Sequence, residues 1–235
     1  MLKRFTKAIF SPQPQIQKDI IKLDDPIFVY NDGLKSKVIS LDIARHYPVI
    51  HDKYYHDDET VSDVSIIICP YTLFAIVLSD IWYPTDQVFN HNIIVKKGNT
   101  TYIPIKNEFS DDVSNNSIRR YEIRLMTHKN ELMQYHDSLY LDIMIDNEPL
   151  TSKDYYYFQD TNDTEKQLIY IIEYKSKQKL KNTILTPKHN TFDVTKNGLD
   201  AYLSKYEEDI RNKTGYILQC YSFAWPFKGN KVIKL

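Results

Sequence analysis

The sequence predicts an α+β fold in which mostly antiparallel sheets are built from hairpins and accompanied by a few helices. Apolar residues alternate with polar ones over several segments of strand length, and Gly-containing turns separate neighbouring segments. One later segment instead has apolar residues three and four positions apart, as on a helix face. The chain has 235 residues, of which 42% are hydrophobic, so it is long and apolar enough to bury a sizeable core.

The first hairpin is predicted around an Asp-Gly pair. Residues 26–30 and 37–41 are apolar segments of strand length. Gly33 lies between them and supplies the positive φ angle that a tight hairpin turn requires. Ser40 is placed to cap a short helix over residues 41–46, because its hydroxyl can accept a hydrogen bond from the first helical turn.

The flanking segments are predicted from their polarity. Apolar residues near the start of the chain predict a short docked helix over residues 2–10. Residues 51–63 are polar and acidic, so they predict a loop. An isoleucine-rich run predicts a buried strand over residues 64–69, and a second strand is predicted over 73–78. A helix over residues 71–79 is the alternative, since a short apolar run fits either element.

A polar linker divides the chain. A second hairpin is predicted over residues 93–105 around a Gly-containing turn. Residues 108–117 follow it and are rich in turn-forming side chains. The sequence therefore predicts a β-rich N-terminal part, residues 1–107, and an α/β C-terminal part, residues 118–235. One continuous domain with a loop at residues 108–117 is the alternative.

The C-terminal part contains the clearest helix that the sequence predicts. This helix covers residues 198–212, where five apolar residues recur three and four positions apart. A shorter helix is predicted over residues 130–136. Strands are predicted over residues 121–125, 139–145, 155–158, 168–174 and 216–225.

Charge and cysteine content narrow the function classes. The 30 basic and 31 acidic side chains give a net charge of −1, which argues against a protein that coats nucleic acid or an anionic membrane. Cys69 and Cys220 are too few for the disulfide framework of a small secreted protein. The apolar stretch among the first ten residues is too short for a signal peptide core, and no apolar run has the length of a membrane span. An intracellular location, in the cytoplasm or in a virion, is expected.

The composition resembles that of proteins from AT-rich genomes, such as those of large DNA viruses. The chain has 24 Lys but 6 Arg and contains 19 Tyr, a bias that follows AT-rich codons. This bias makes motifs that contain Lys, Asn or Tyr frequent by chance, so such motifs need structural support.

The first candidate site is a metal site formed by His46, His51 and His56. Imidazole and carboxylate side chains are the ligands that Zn²⁺ and Fe²⁺ use in proteins. The histidines are five residues apart, a spacing that suits neither one face of a helix nor one face of a strand. The segment would have to fold around the ion. The alternative is a solvated surface loop whose charge depends on pH.

The second candidate site is that of a metal-dependent nuclease. Glu173 and Lys175 end an apolar strand and share one of its faces, and Asp154 is the natural partner carboxylate. The pattern resembles the active site of the restriction-endonuclease-like nucleases. That resemblance implies that Asp154 and Glu173 hold Mg²⁺ or Mn²⁺ while Lys175 activates a water against a phosphodiester. The alternative is a half-buried strand with a solvated charged face.

A further resemblance covers about residues 25–80. Tyr47-Pro48, then His51, then Cys69-Pro70-Tyr71-Thr72 is similar to the core of a widespread prokaryotic family of unknown function. Leu73-Phe74-Ala75 stands where that family has Gly-rich residues. The resemblance implies only that His51 and Cys69 lie near each other.

Each candidate catalytic site is explained at least as well by an ordinary structural role of the same residues. The sequence therefore favours a non-catalytic intracellular protein that acts through protein–protein contacts, as a viral or other assembly component. A protein partner or self-association is expected. Nucleic acid is a partner only under the nuclease hypothesis. No resident cofactor is expected, and a divalent metal (Mg²⁺, Mn²⁺ or Zn²⁺) belongs only to the two alternatives.

Overall fold

The described residues form a nearly all-β structure. The computed structural model describes residues 5–7, 10–11, 21–110, 118–128, 131–132, 137–143, 168–176, 179–186, 216–221, 224–226 and 231–234. Across these residues the elements are eighteen strands and one helix, α1, at Leu41–His46. The predicted α+β class is therefore wrong. The predicted helix over residues 198–212 lies outside the described residues.

The strands follow one another through most of the described chain. In order they are β1 (Phe5–Lys7), β2 (Phe10–Ser11), β3 (Pro26–Asn31), β4 (Ser36–Ser40), β5 (Val49–Tyr55), β6 (Val61–Ile68), β7 (Ala75–Ser79), β8 (Tyr83–Phe89), β9 (Asn92–Lys97), β10 (Thr100–Ile103), β11 (Glu108–Phe109), β12 (Arg120–Tyr121), β13 (Ile123–Thr127), β14 (Leu139–Leu141), β15 (Leu168–Ser176), β16 (Lys179–Thr186), β17 (Tyr216–Tyr221) and β18 (Lys231–Lys234). His128, Glu131 and Leu132 also have helical backbone conformation. No helix among the residues described is long and apolar enough to cross a membrane.

Four sheets account for these strands. The central sheet has the order β1-β5-β6-β7-β12, and the second sheet has the order β13-β3-β4-β14-β2. The third sheet is β11-β10-β9-β8, and the fourth is β17-β15-β16-β18. Most neighbouring strands are antiparallel, as the hairpin pattern predicts, whereas β1–β5, β4–β14 and β16–β18 run parallel.

The central sheet is buried on both faces. On β6, Ile67 packs into a core shared with the third and fourth sheets, while Ile66 and Ile68 pack into a second core shared with the second sheet. A strand covered on both sides needs apolar residues at successive positions, which explains the uninterrupted isoleucine run. Each such side chain contributes about 1.5–3 kcal/mol to stability by leaving water.

The first predicted hairpin is confirmed, with a longer loop. β3 and β4 pair antiparallel up to Asn31 and Ser36, so four residues connect them. The Asp32 carboxylate closes this loop, because its Oδ1 accepts hydrogen bonds from the backbone N–H of Leu34 (2.9 Å) and Lys35 (2.8 Å). Gly33 has a φ of +97°, in the region that favours glycine.

The predicted helix cap is also confirmed. Ser40 Oγ accepts a hydrogen bond from the backbone N–H of Ile43 at 3.2 Å, and α1 begins at the next residue. Asp42 lies in the first turn, where its charge is favourable. The helix ends before Tyr47, whose N–H donates to the carbonyl of Ile43 at 2.8 Å.

The strand predicted over residues 73–78 is confirmed by β7, so its helical alternative over residues 71–79 is wrong. Two other segments differ from their predictions. Residues 51–63, predicted as a loop, form most of the β5–β6 hairpin. Residues 5–7 and Phe10, from the helix predicted over residues 2–10, lie in strands that pair with β5 and β14. In both segments pairing within a sheet overrides the local pattern.

The two sides of the predicted linker share sheets and core. β12 pairs with β7 in the central sheet, and β13 pairs with β3 in the second sheet. Ile67 of β6 and Leu218 of β17 belong to the same buried core. Residues 108 and 109 of the predicted linker form β11.

Replacing Gly33 by Ala is expected to destabilise the fold far more than replacing Gly98 by Ala. A Cβ at Gly33 would lie 1.7 Å from the Tyr55 carbonyl oxygen, whereas a Cβ at Gly98 (φ +59°) meets nothing within 4 Å. Gly98→Ala should cost about 1 kcal/mol through left-handed strain, and Gly33→Ala at least about 3 kcal/mol through strain and overpacking. Urea denaturation of both variants measures the difference, and equal losses would contradict the hairpin geometry.

Candidate functional site

The three predicted metal-binding histidines lie at separate points around β5. His46 ends α1, His51 lies within β5, and His56 follows it. The His51 Nε2 lies 2.7 Å from the Trp82 carbonyl oxygen, and the His56 Nε2 lies 2.8 Å from the Ser62 hydroxyl. In the part of the chain that the structure describes, no group of three or more His, Cys, Asp or Glu side chains is arranged to hold a metal ion.

Two of the three predicted nuclease residues lie on β15. Glu173 pairs with Asn182 on one side and with Tyr216 on the other, both in antiparallel register. Lys175 is two positions further along the same strand. Asp154 lies outside the described residues. The nuclease hypothesis stays a prediction.

His51 lies on β5, and Cys69 directly follows the neighbouring strand β6. His51 pairs with Ser65 on β6, and Cys69 lies four positions further on, about 13 Å along an extended chain. The Cys69 thiol donates instead to the His91 carbonyl oxygen at 3.4 Å. Burial raises the pKa of the Cys69 thiol. Burial also raises the pKa of Cys220, and the neighbouring Cys69 adds to that effect. Both thiols are therefore poor nucleophiles at neutral pH.

His51 does belong to a compact group of rings, here called the aromatic cluster: Phe5, His51 and Tyr83. The Phe5 and Tyr83 ring centroids are 4.7 Å apart with the planes at 84°, an edge-to-face contact. The His51 ring centroid lies 5.2 Å from that of Phe5 and 5.1 Å from that of Tyr83. This is the geometry that aromatic pairs prefer.

The backbone around the aromatic cluster is held by Ser65. Its hydroxyl donates to the Asp80 carbonyl oxygen at 2.9 Å and accepts from the Trp82 N–H at 2.8 Å. The Trp82 indole N–H donates to the Ser79 carbonyl at 2.9 Å, which fixes the other side of the same turn. Because His51 contacts the Trp82 carbonyl, the turn that leads into Tyr83 is tied to β5 and β6 together.

In the aromatic cluster two rings are partly exposed and the third, that of His51, is buried. Phe5 is 41% exposed and Tyr83 is 39% exposed, while His51 is 7% exposed. Phe5 lies on edge strand β1 of the central sheet and Tyr83 begins edge strand β8 of the third sheet. Such a surface offers large apolar area on side chains that are already ordered. Phe5, His51 and Tyr83 are far apart in sequence, and the pairing of β1 with β5 brings Phe5 to His51. No sequence motif therefore indicates the cluster.

A second cluster, the ionic cluster, lies between the first hairpin and β5: Tyr30, Asp32, Lys37 and Asp52. Lys37 Nζ lies 2.7 Å from Asp32 Oδ2 and 2.5 Å from Asp52 Oδ2, and these side chains are at most 10% exposed. The Tyr30 hydroxyl also donates to Asp52. Burial and the Asp52 charge raise the pKa of Tyr30, so its phenol stays protonated.

The ionic cluster holds elements together. Lys37 on β4 balances carboxylates from the β3–β4 loop and from β5, so one cation joins the second sheet to the central sheet. The sequence gives only a weak signal for this cluster, because Lys37 precedes the two apolar residues of β4 and Asp32 is expected from turn chemistry alone.

Comparisons with family models, with curated proteins and with solved structures give no match to this chain.

Replacing Lys37 by Met is expected to destabilise the protein by about 3–5 kcal/mol, because two buried carboxylates lose their cation. Lys53→Met is the matched control, since Lys53 pairs with Asp63 across side chains that are 55% and 50% exposed. The control should cost no more than about 1 kcal/mol. Adding Asp52→Asn to Lys37→Met should restore part of the lost stability. Chemical denaturation measures the unfolding free energy of each variant. Similar losses of stability in the two lysine variants would contradict a buried ionic cluster.

Proposed function

We propose that this is a non-catalytic interaction protein that binds another protein surface, a second copy of itself included, through the aromatic cluster. The observation that carries the proposal is the edge-to-face contact of Phe5 and Tyr83, two part-exposed rings packed against the buried His51. Rings that are ordered before binding lose little conformational entropy when a partner covers them.

The surroundings of Tyr83 favour a contact through side chains. β8 is an edge strand, but it contains Pro84, which has no N–H, and its pairing with β9 shifts register between Pro84 and Val88. Both features hinder addition of another strand to an edge. A partner is therefore expected to pack on the exposed rings rather than extend the sheet.

The charge balance supports a protein partner over a polyanion. The chain carries 30 basic and 31 acidic side chains, so long-range attraction to nucleic acid is weak. Tyr83 contributes a phenol at the rim of an apolar contact, which is the combination that makes tyrosine frequent among binding hot spots. A role as a viral or other assembly component is the form of this function that the sequence favours.

Tyr83→Ala and Phe5→Ala are expected to weaken the complex. Loss of a central aromatic contact of at least 2 kcal/mol corresponds to about 30-fold weaker binding. Leu34→Ala is the matched control, because Leu34 is 68% exposed but lies on the β3–β4 loop, outside the aromatic cluster. Sedimentation velocity measures self-association, and co-purification with mass spectrometry measures a heterologous complex.

Circular dichroism melting curves establish that the variants remain folded. The expected result is a complex formed by the unaltered protein and by Leu34→Ala, and lost or strongly weakened in the two aromatic variants. A monomer with no co-purifying protein would contradict the proposal, as would a complex that Tyr83→Ala leaves unchanged.

A further inference from the structure

The β5–β6 hairpin ends in an exposed segment, here called the acidic tip: residues 57–61. Asp57, Asp58 and Glu59 are exposed, and neither Lys nor Arg occurs between residues 54 and 63. Among the residues that the structure describes, no ion pair neutralises these three carboxylates. The acidic tip is therefore a concentrated negative charge on a chain whose total charge is −1.

Hydrogen bonds order the acidic tip before any partner meets it. The His56 N–H donates to the Thr60 carbonyl at 2.9 Å, and the Glu59 N–H donates to the His56 carbonyl at 3.0 Å. Asp58 Oδ1 accepts from the Thr60 N–H at 3.1 Å and from the Thr60 hydroxyl at 2.5 Å. These bonds from Thr60 lower the pKa of Asp58, so its carboxylate stays charged. A loop that is already ordered loses little conformational entropy on binding.

Val61 gives the acidic tip an apolar side chain. It is 51% exposed, although it begins β6 and pairs with Tyr55 across the hairpin. Three charged side chains thus precede one exposed apolar side chain on a fixed backbone. Apolar contacts at the centre and polar groups at the rim are the usual arrangement of a protein interface.

The aromatic cluster is flanked by charge of the opposite sign. Lys96 is exposed and is the register partner of Tyr83, so the two side chains share one face of the third sheet. Lys53 lies two residues beyond His51 on β5 and pairs with Asp63. Among the described residues no such ion pair neutralises Lys96. The charge directly beside Tyr83 that lacks a counterion is therefore positive.

We infer that the acidic tip of one copy of this chain binds the aromatic cluster of a second copy, so that the chain self-associates head to tail. This inference rests on the proposed function, because it takes the aromatic cluster as the binding surface. Val61 of one copy would cover Phe5 and Tyr83 of the next, and the tip carboxylates would face Lys96. Opposite charges steer the two surfaces together, and the apolar side chains exclude water at the centre.

A contact between these two surfaces does not close within a pair of chains. His51 and Tyr55 are four residues apart on β5, about 13 Å along an extended strand, and the acidic tip lies beyond Tyr55. The two surfaces are therefore different parts of one molecule, and their contact is heterologous. Every pair keeps one acidic tip and one aromatic cluster uncovered, so growth continues into a ring or an open chain. A symmetric contact of cluster with cluster would instead bring two like charges at Lys96 together.

Sedimentation velocity of two full-length variants, alone and mixed, tests the inference. Tyr83→Ala alters the aromatic cluster and keeps the acidic tip. Asp57→Lys/Glu59→Lys reverses the tip charge and keeps both the aromatic cluster and the bonds between Asp58 and Thr60. The unaltered chain should form species whose mass rises with concentration, and each variant alone should associate at least about 10-fold more weakly. An equimolar mixture should form a complex of one chain of each variant and nothing larger, because the two remaining surfaces are altered.

Asp24→Lys/Asp137→Lys is the matched control. Both aspartates are exposed and precede strands β3 and β14 of the second sheet, and the replacement changes the net charge by the same amount as the tip variant does. The control should associate as the unaltered chain does. Circular dichroism melting curves establish that each variant is folded. Lys96→Glu gives the same test from the side of the aromatic cluster if the tip variant does not fold.

Three results overturn the inference. A tip variant that associates as the control does would show that the acidic tip is not the partner surface. If Tyr83→Ala nevertheless loses a complex with another protein, the proposed function stands and only the head-to-tail contact is wrong. A mixture of the two variants that forms no complex would contradict a heterologous contact. A monomeric unaltered chain with no co-purifying protein would overturn the inference and the proposed function together.

Discussion

Burial of β6 on both of its faces is the constraint on which the rest of the structure depends. Ile66 and Ile68 need the second sheet to cover them, and Ile67 needs the third and fourth sheets. Neither face can be left open without exposing a row of large apolar side chains to water. The four sheets are therefore layers around one strand pair, β6 and β7, and strands from both ends of the described chain are recruited to complete them.

The two polar clusters arise because β5 lies beside β6 and alternates its side chains between the same two layers. His51 points to one side, where it meets the Trp82 carbonyl and the rings of the aromatic cluster. Asp52 points to the other side, where it meets Lys37 in the ionic cluster. Strand β5 thus supplies the buried ring beneath the proposed binding surface. It also supplies the carboxylate of an ion pair that joins the central sheet to the second sheet.

Local chemistry made parts of this fold predictable. The Asp32-Gly33 loop, the Ser40 cap and the β9–β10 hairpin depend on residues close in sequence, and all three are confirmed. The polar segment that became β5 and β6 could not be predicted, because its burial depends on Trp82 and Lys37, which are distant in sequence. The aromatic cluster escaped prediction for the same reason, since it needs the parallel pairing of β1 with β5.

Native-state hydrogen–deuterium exchange, resolved to single strands, tests the central role of β6 most directly. The account predicts that amides of β6 and β7 exchange most slowly, with opening free energies equal to the global free energy of unfolding. Amides of the short edge strands β1 and β12 should exchange faster through local opening. Exchange from β6 at the rate of these edge strands, well below the global unfolding free energy, would contradict a structure organised around a strand buried on both faces.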